Sequence, residues 1–214
     1  MTPLELEEFA RNRYNAVGDT FFTQAELMRV IYDGCCEIAR ESLCIERVFT
    51  TTTVADQQEY DYPENAISIK RVTYNGNRID PISFDEDDSL SLSNSAVTVS
   101  GTPAYYVLWD ESFYLRPIPD SANTLKVFAY VEPQPVTSTS TLEVPTQWHT
   151  GIGNKLLAYM HEKDKQFDTA KYYEDKWQKT VMDAKRFGQK KRRGGRFAAV
   201  KDEESLPKTV LGTV

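Results

Sequence analysis

The sequence has few of the features that define membrane, secreted or disulfide-stabilised proteins. It contains no run approaching the roughly 18 apolar residues of a membrane-spanning helix. Its first residues, MTPLELEEFARN, lack the basic-then-apolar order of a signal peptide. Its three cysteines, Cys35, Cys36 and Cys44, are an odd number clustered in one helical stretch, which excludes a disulfide framework. We therefore expect a soluble chain that is intracellular when made and does not associate with membranes.

Motifs for catalysis and metal binding are equally scarce. His149 and His161 have no cysteine or second histidine at ligand spacing, and we expect both on a helix surface. The run Asp85–Asp88 starts like a calcium loop, but Leu90 stands where glycine is needed and Ala96 where glutamate is needed. We interpret the run as a solvated acidic loop. The sequence has no nucleophile elbow and no glycine-rich phosphate loop, so we predict neither enzyme activity nor a cofactor.

The hydrophobic period changes along the chain. Residues 1–44 repeat apolar side chains at three- and four-residue steps behind the capping boxes TPLE and TQAE. This pattern predicts two helices, the first ended by Gly18 and the second reaching about Ser42. Residues 45–136 alternate with a period of two and are rich in Thr, Val, Ile and Tyr, which is typical of short antiparallel strands.

Turn residues and a second helical stretch complete the predicted fold. Asn75-Gly76 and Asp110-Glu111 mark two hairpins. Helical periodicity returns within residues 137–187 as an antiparallel pair, and the paired glycines and dense charge of residues 188–214 predict a flexible tail. We therefore predict an α+β fold: a helical bundle from N- and C-terminal helix pairs, with an inserted antiparallel β-rich region and a flexible C-terminal tail.

The charge is distributed unevenly. The formal net charge is −7, yet the segment KRFGQKKRRGGR at residues 185–196 holds seven basic residues and no acidic one. Removing its +7 leaves about −14 on the rest of the chain, which repels phosphate. Nucleic-acid binding would therefore be confined to this segment. The segment lacks the aromatic interleaving of single-strand binders.

Aromatic side chains, 12% of the chain, crowd the strand region. Alternation along a strand places some of them in a core and the others on the opposite face of the sheet. The opposite face is either ordinary exposed surface or a contact with another subunit, since interface cores favour Tyr, Trp and Phe. The candidate interface residues are Tyr105, Tyr106, Trp109 and Tyr114.

Read in order, several motifs resemble those of the head-to-tail adaptor (connector) proteins of tailed bacteriophages. The resemblance covers about residues 1–187 and leaves the tail unplaced. The insertion FDEDDSLSLSNSAVTVS departs from simpler members of the family. The motifs are QEYDYP at Gln58–Pro63, YNG ending at Gly76, GTPAYY at Gly101–Tyr106, LRPIP at Leu115–Pro119 and VPTQW at Val144–Trp148.

The resemblance implies a structural virion protein and not an enzyme. Such proteins form a ring, typically of about twelve copies, beneath the portal. The ring would join the portal to tail or nozzle proteins at the head-tail connector of the virion, after assembly in the host cytoplasm. DNA would pass through its channel without specific binding.

The resemblance also gives the basic segment a role. With portal protein as the partner, we interpret the tail as a docking arm that combines charge with apolar anchors. The alternative function is a nucleic-acid-binding module acting through residues 185–196. The candidate docking residues are Lys190, Lys191, Arg192, Arg193, Arg196, Phe197, Leu206, Val210 and Leu211.

Overall fold

The fold is mixed α+β, with helices from both ends of the chain and a curled seven-stranded sheet between them. The structure, a computed structural model, describes residues 1–93 and 100–192. Its helices are α1 (Pro3–Tyr14), α2 (Gln24–Ser42), α3 (Phe84–Ser93), α4 (His149–Lys163) and α5 (Phe167–Arg192). Its strands are β1 (Glu46–Thr52), β2 (Glu59–Asp61), β3 (Ala66–Tyr74), β4 (Asn77–Ile82), β5 (Ser100–Gly101), β6 (Tyr105–Trp109), β7 (Ser112–Arg116), β8 (Ile118–Pro119) and β9 (Thr124–Val131).

The two N-terminal helices begin where their capping boxes predict. The Thr2 hydroxyl accepts a hydrogen bond from the Glu5 amide, and the Glu5 carboxylate accepts one from the Thr2 amide. Thr23 and Glu26 repeat this arrangement at α2. Each box satisfies amides that have no partner inside the helix, so the sequence fixes both starting points.

The ends of these helices follow local backbone conformation. The second helix, α2, ends at Ser42 as predicted. The prediction that Gly18 ends the first helix is wrong, because α1 ends at Tyr14. There Asn15 takes the left-handed conformation with a φ of 64°, and its amide bonds back to the carbonyls of the last turn. Asparagine tolerates this conformation better than most residues, so it closes the helix before the glycine is reached.

Four of the helices share one hydrophobic core with the adjoining end of the sheet. Leu6 of α1, Ile31 of α2, Leu156 of α4 and Trp177 of α5 are all essentially inaccessible to solvent within it. The helix α4 contacts α1, α2 and α5. The N- and C-terminal helix pairs therefore bury their apolar faces against each other.

The C-terminal helices α4 and α5 form the predicted pair. Only a short link separates Lys163 at the end of α4 from Phe167 at the start of α5, which makes the two helices antiparallel neighbours. The carboxylate of Glu37 on α2 joins them: it accepts hydrogen bonds from Lys155 Nζ at 2.6 Å and from Trp177 Nε1 at 3.1 Å. This buried indole thus has both packing and a polar partner.

The order of strands in the sheet is β1-β9-β3-β4-β6-β7-β2. Both predicted hairpins are confirmed. The β3–β4 turn has positive φ at Asn75 and Gly76, and the β6–β7 turn has positive φ at Asp110. The prediction of a wholly antiparallel region is wrong at two pairings, because β5 runs parallel to β8 and, within the seven-stranded sheet, β4 runs parallel to β6. Parallel neighbours require a crossover connection, and the chain between these strands contains α3.

The helix α3 also corrects the prediction of a solvated acidic loop at Asp85–Asp88. The Ser83 hydroxyl accepts from the Glu86 amide at 3.2 Å, and the Glu86 carboxylate accepts from the Ser83 amide at 2.8 Å. This is a third capping box, SFDE, at the start of a run of carboxylates that also resembles the first part of a calcium loop. Acidic side chains in a first helical turn also interact favourably with the helix dipole.

The strand β9 lies between β1 and β3 and lines both cores of the molecule. Leu125, Val127, Ala129 and Val131 are buried, as their alternation predicts. The first two belong to a second core inside the curled sheet, and the last two belong to the helix-lined core. Tyr130, on the opposite side of the alternation, is also buried.

Candidate functional site

The basic segment begins inside a helix. Although the sequence predicted a flexible tail from Gly188, α5 continues to Arg192, so the prediction is wrong for residues 188–192. The helical part of the segment includes three candidate docking residues, Lys190, Lys191 and Arg192.

Gly188 allows the helix to continue against the rest of the molecule. A Cβ at this position would collide with the carbonyl oxygen of Ser42. Glycine therefore lets α5 pack directly on the end of α2. The last carbonyls of α2 carry partial negative charge, and Lys185 pairs with Glu41 beside them at 2.8 Å.

Lys191 joins the end of α5 to the sheet. Its Nζ lies 3.3 Å from Glu46 Oε1 on β1, and Lys70 Nζ on β3 lies 3.3 Å from the same oxygen. Burial opposes ionisation of this carboxyl, but hydrogen bonds from Lys191 and Lys70 hold the pKa of Glu46 below its ordinary value. The basic end of α5 is thereby anchored where the sheet begins.

The other candidate docking residues lie outside the described residues. The first of them, Arg193, follows directly on Arg192 in the sequence. These residues are Arg193, Arg196, Phe197, Leu206, Val210 and Leu211.

The β6–β7 hairpin carries an exposed aromatic surface. Tyr105 is 39% exposed and Trp109 is 55% exposed. The Trp109 ring centroid lies 4.7 Å from that of Phe84 at the start of α3. Tyr114 is half-buried, and its hydroxyl donates to Glu59 at 3.1 Å, a hydrogen bond that raises the pKa of Tyr114. Three of the four candidate interface residues thus have accessible surface.

Tyr106 does not belong to this surface. It is 4% exposed and packs in the second core, where Phe113 and Leu115 also lie. Successive side chains of a strand point to opposite faces, so Tyr106 points inward where Tyr105 points outward. The candidate aromatic interface therefore reduces to Tyr105, Trp109 and Tyr114.

A buried ion pair fixes α3 beside this hairpin. Arg116 of β7 donates from Nε and from its terminal nitrogen to the two oxygens of Asp87, both at 2.7 Å. Both side chains are largely inaccessible to solvent. The bidentate geometry orients α3 on the sheet and places Phe84 against Trp109. No local sequence pattern predicts this pair, because the two residues are distant in the chain.

The helices carry three titratable residues of interest, His149, His161 and Cys35, whose side chains pack against the rest of the fold. His149 is buried, not on the surface as predicted, and its Nε2 lies 3.0 Å from the Val144 carbonyl oxygen. Burial lowers the pKa of His149. His161 is only partly exposed, and its ring stacks on that of Tyr173. Burial raises the pKa of the Cys35 thiol to about 12, which makes a reactive thiolate there unfavourable.

Two further findings concern the part of the chain that the structure describes. Within residues 1–93 and 100–192, no group of three or more His, Cys, Asp or Glu side chains could hold a metal ion. No helix in those ranges is long and apolar enough to cross a membrane.

The distinctive features of this α+β protein lie on its surface: an exposed aromatic hairpin and a basic helix end that Lys191 joins to the sheet. The sequence matches the SU10 adaptor protein family over residues 1–200, and the chain belongs to that family. It is therefore a phage adaptor, a structural virion protein of the head-to-tail type that the motifs resemble. The match extends past residue 187 into the segment that the resemblance left unplaced. The comparison with curated proteins gives no match.

Proposed function

We propose that this adaptor assembles as a ring beneath the portal, joins the portal to tail or nozzle proteins, and continues the DNA channel. The helices that share a core would form the bundle of the adaptor, and the curled sheet its inserted part. A contact between two different surfaces of neighbouring copies closes into a ring when the rotation between copies is right. The resemblance to connector proteins suggests about twelve copies. The observation that carries the proposal is the anchored basic end of α5, which holds the start of the C-terminal segment at one fixed place.

The C-terminal segment is proposed as the portal-docking arm. Beyond Arg192 the sequence offers both cations and apolar anchors such as Phe197 and Leu206. Apolar anchors give affinity for a preformed partner, and opposite charge on the partner speeds the encounter. An acidic portal surface would therefore suit it.

Nucleic-acid binding by residues 185–196 is the competing function. Three cations of this segment already have carboxylate partners in the same chain: Lys185 with Glu41, Arg186 with Asp183 and Lys191 with Glu46. Phosphate would have to displace these partners while the acidic body of the protein repels it. The pairing therefore favours a protein partner for the segment and passage of DNA without specific binding.

The aromatic hairpin is proposed as part of the contact between subunits. Tyr105 and Trp109 expose large apolar area, and Tyr114 has a polar hydroxyl beside it, a combination that protein interfaces favour.

The docking arm can be tested by deleting residues 193–214. The deletion leaves the Gly188 and Lys191 contacts in place, so the described fold should retain its cooperative unfolding transition. We expect assembly on the portal to be lost and affinity for duplex DNA at moderate salt to change little. Sedimentation with the portal and fluorescence anisotropy with DNA measure the two separately.

Two full-length variants sharpen this test. Arg193→Ser with Arg196→Ser removes charge, and should slow association with the portal. Phe197→Ser with Leu206→Ser removes apolar anchors, and should speed dissociation. Normal portal assembly by the deletion variant together with abolished DNA binding would establish the competing function instead.

A further inference from the structure

A cleft lined with cations lies on the sheet near its β1 edge and encloses about 580 Å³. The register of the strands builds it. Val48 pairs with Phe128, and Phe128 pairs with Arg71, so these three side chains lie side by side across β1, β9 and β3. The next register position, Val127 with Val72, faces the second core. The cleft is therefore on the opposite face of the sheet from that core.

Arg71 is the cation of this cleft that lacks a carboxylate partner. Among the described residues, Arg47 pairs with Glu143, Lys70 with Glu46 and Arg78 with Asp80, whereas Arg71 forms no ion pair. Its guanidinium carbon lies 4.2 Å from the centroid of the Phe128 ring. A guanidinium stacked on an aromatic ring keeps its N–H groups available for a carboxylate. The cleft thus presents an oriented donor beside Val48, which is 53% exposed.

The other edge of the sheet is acidic. The strand β2 ends the strand order opposite β1. A second cleft, of about 690 Å³, lies beside β2 and the β6–β7 turn. Four carboxylates and no cation line it, namely those of Asp61, Glu64, Asp110 and Glu111. All four residues are exposed, and none forms an ion pair with a side chain in the described part of the chain.

We infer that the cationic cleft of one copy receives the acidic β6–β7 tip of the next copy, so that the two edges of the sheet form a head-to-tail contact. The inference rests on the proposed ring and names the surfaces that would build it. Two different surfaces on one chain make a heterologous contact, which is the kind that generates rings. Arg71 would meet Asp110 or Glu111, while the exposed Val48 and Trp109 would supply apolar area at the same contact.

Charge reversal tests this pairing on the full-length chain. Arg71→Glu makes the cleft repel the acidic tip, and Glu111→Arg makes the tip repel the cleft. Each variant alone should lose association by about tenfold or more, because like charges then face each other. An equimolar mixture should recover assembly, since each altered surface then meets its complement on the other variant. Ring formation on the portal is followed by mass photometry.

Matched charge reversals elsewhere serve as controls. Arg29→Glu on α2 and Glu8→Arg on α1 change exposed residues that form no ion pair with described residues. Both should assemble like the wild type, alone and mixed. Circular dichroism and thermal unfolding verify that all four variants retain the fold.

The outcomes separate this inference from the proposed function. Recovery in the mixture of Arg71→Glu and Glu111→Arg supports the contact. Wild-type assembly by either variant alone, or a mixture no better than its components, overturns it. If the wild type does not assemble on the portal, the proposed function fails, and sedimentation of the free chain at high concentration decides the contact by the same mixing rule. Loss of DNA binding by Arg71→Glu with unchanged assembly would assign the cleft to nucleic acid and overturn the inference.

Discussion

Substituting Gly188 by alanine should destabilise the protein, although alanine is the better helix former. In an exposed helix the change would stabilise by about 0.5–1 kcal/mol, and in a flexible tail it would do almost nothing. Here the new Cβ would collide with the Ser42 carbonyl oxygen, so α5 must move away from α2. Overpacking of this kind costs about 1–3 kcal/mol. We therefore expect a net loss of about 1–2 kcal/mol after the gain in helix propensity.

Equilibrium unfolding in urea measures this change, with Gln189→Ala as the control. Gln189 is the exposed neighbour in the same helical turn, so its variant should differ from the wild type by less than about 0.5 kcal/mol. If Gly188→Ala were as stable as the wild type or more stable, the close approach of α5 to Ser42 would be wrong. The end of α5 would then be free in solution, as the sequence first predicted.

Three other predictions concern single features of the structure. Asp87→Ala should cost about 3–5 kcal/mol in thermal unfolding because it leaves the Arg116 charge buried without a partner, and Arg116→Met in the same chain should restore part of that loss. Tyr105→Asp should fold normally and weaken assembly, whereas Tyr106→Asp should disrupt the second core; equal melting temperatures for the two would contradict the assigned faces of β6. Burial lowers the pKa of His149 in the folded protein. As pH falls below about 6.5, the unfolded chain therefore binds a proton at this histidine before the folded protein does. The free energy of unfolding should decrease over the pH range between the two pKa values. His149→Gln should remove that part of the pH dependence, as measured by urea unfolding at several pH values, and an unchanged profile would show that other groups cause it.

Features specified by neighbouring residues were predictable from the sequence. Thr2 with Glu5 marks a helix start because the two side chains cap each other's amides. Asn75 with Gly76 marks a hairpin because the turn needs positive φ angles. The same local chemistry at Ser83 and Glu86 marks the start of α3, although the carboxylates there also resemble the start of a calcium loop.

Features that depend on distant parts of the chain were not predictable. In the sequence alone, Gly188 indicates a flexible backbone. Only the folded structure shows that Gly188 allows α5 to pack against the backbone of Ser42. In the sequence Asp87 is one of four neighbouring carboxylates, and only the folded structure shows that Arg116 of β7 pairs with it. The cationic cleft was not predictable for the same reason. Its side chains come from several strands, and no local sequence pattern gives the order of those strands in the sheet.

The position of β9 between β1 and β3 has a consequence for the folding pathway. Glu46 at the start of β1 pairs with Tyr130 near the end of β9, and β3 pairs with the other side of the same strand. During synthesis β1 and β3 therefore leave the ribosome without their shared partner. Pairing of β1 and β3 with β9 must wait for loop closure across most of the β-rich region, which is entropically costly and slows folding. Until then the nascent chain exposes unpaired strand edges, so we expect its yield in the host to depend on chaperones.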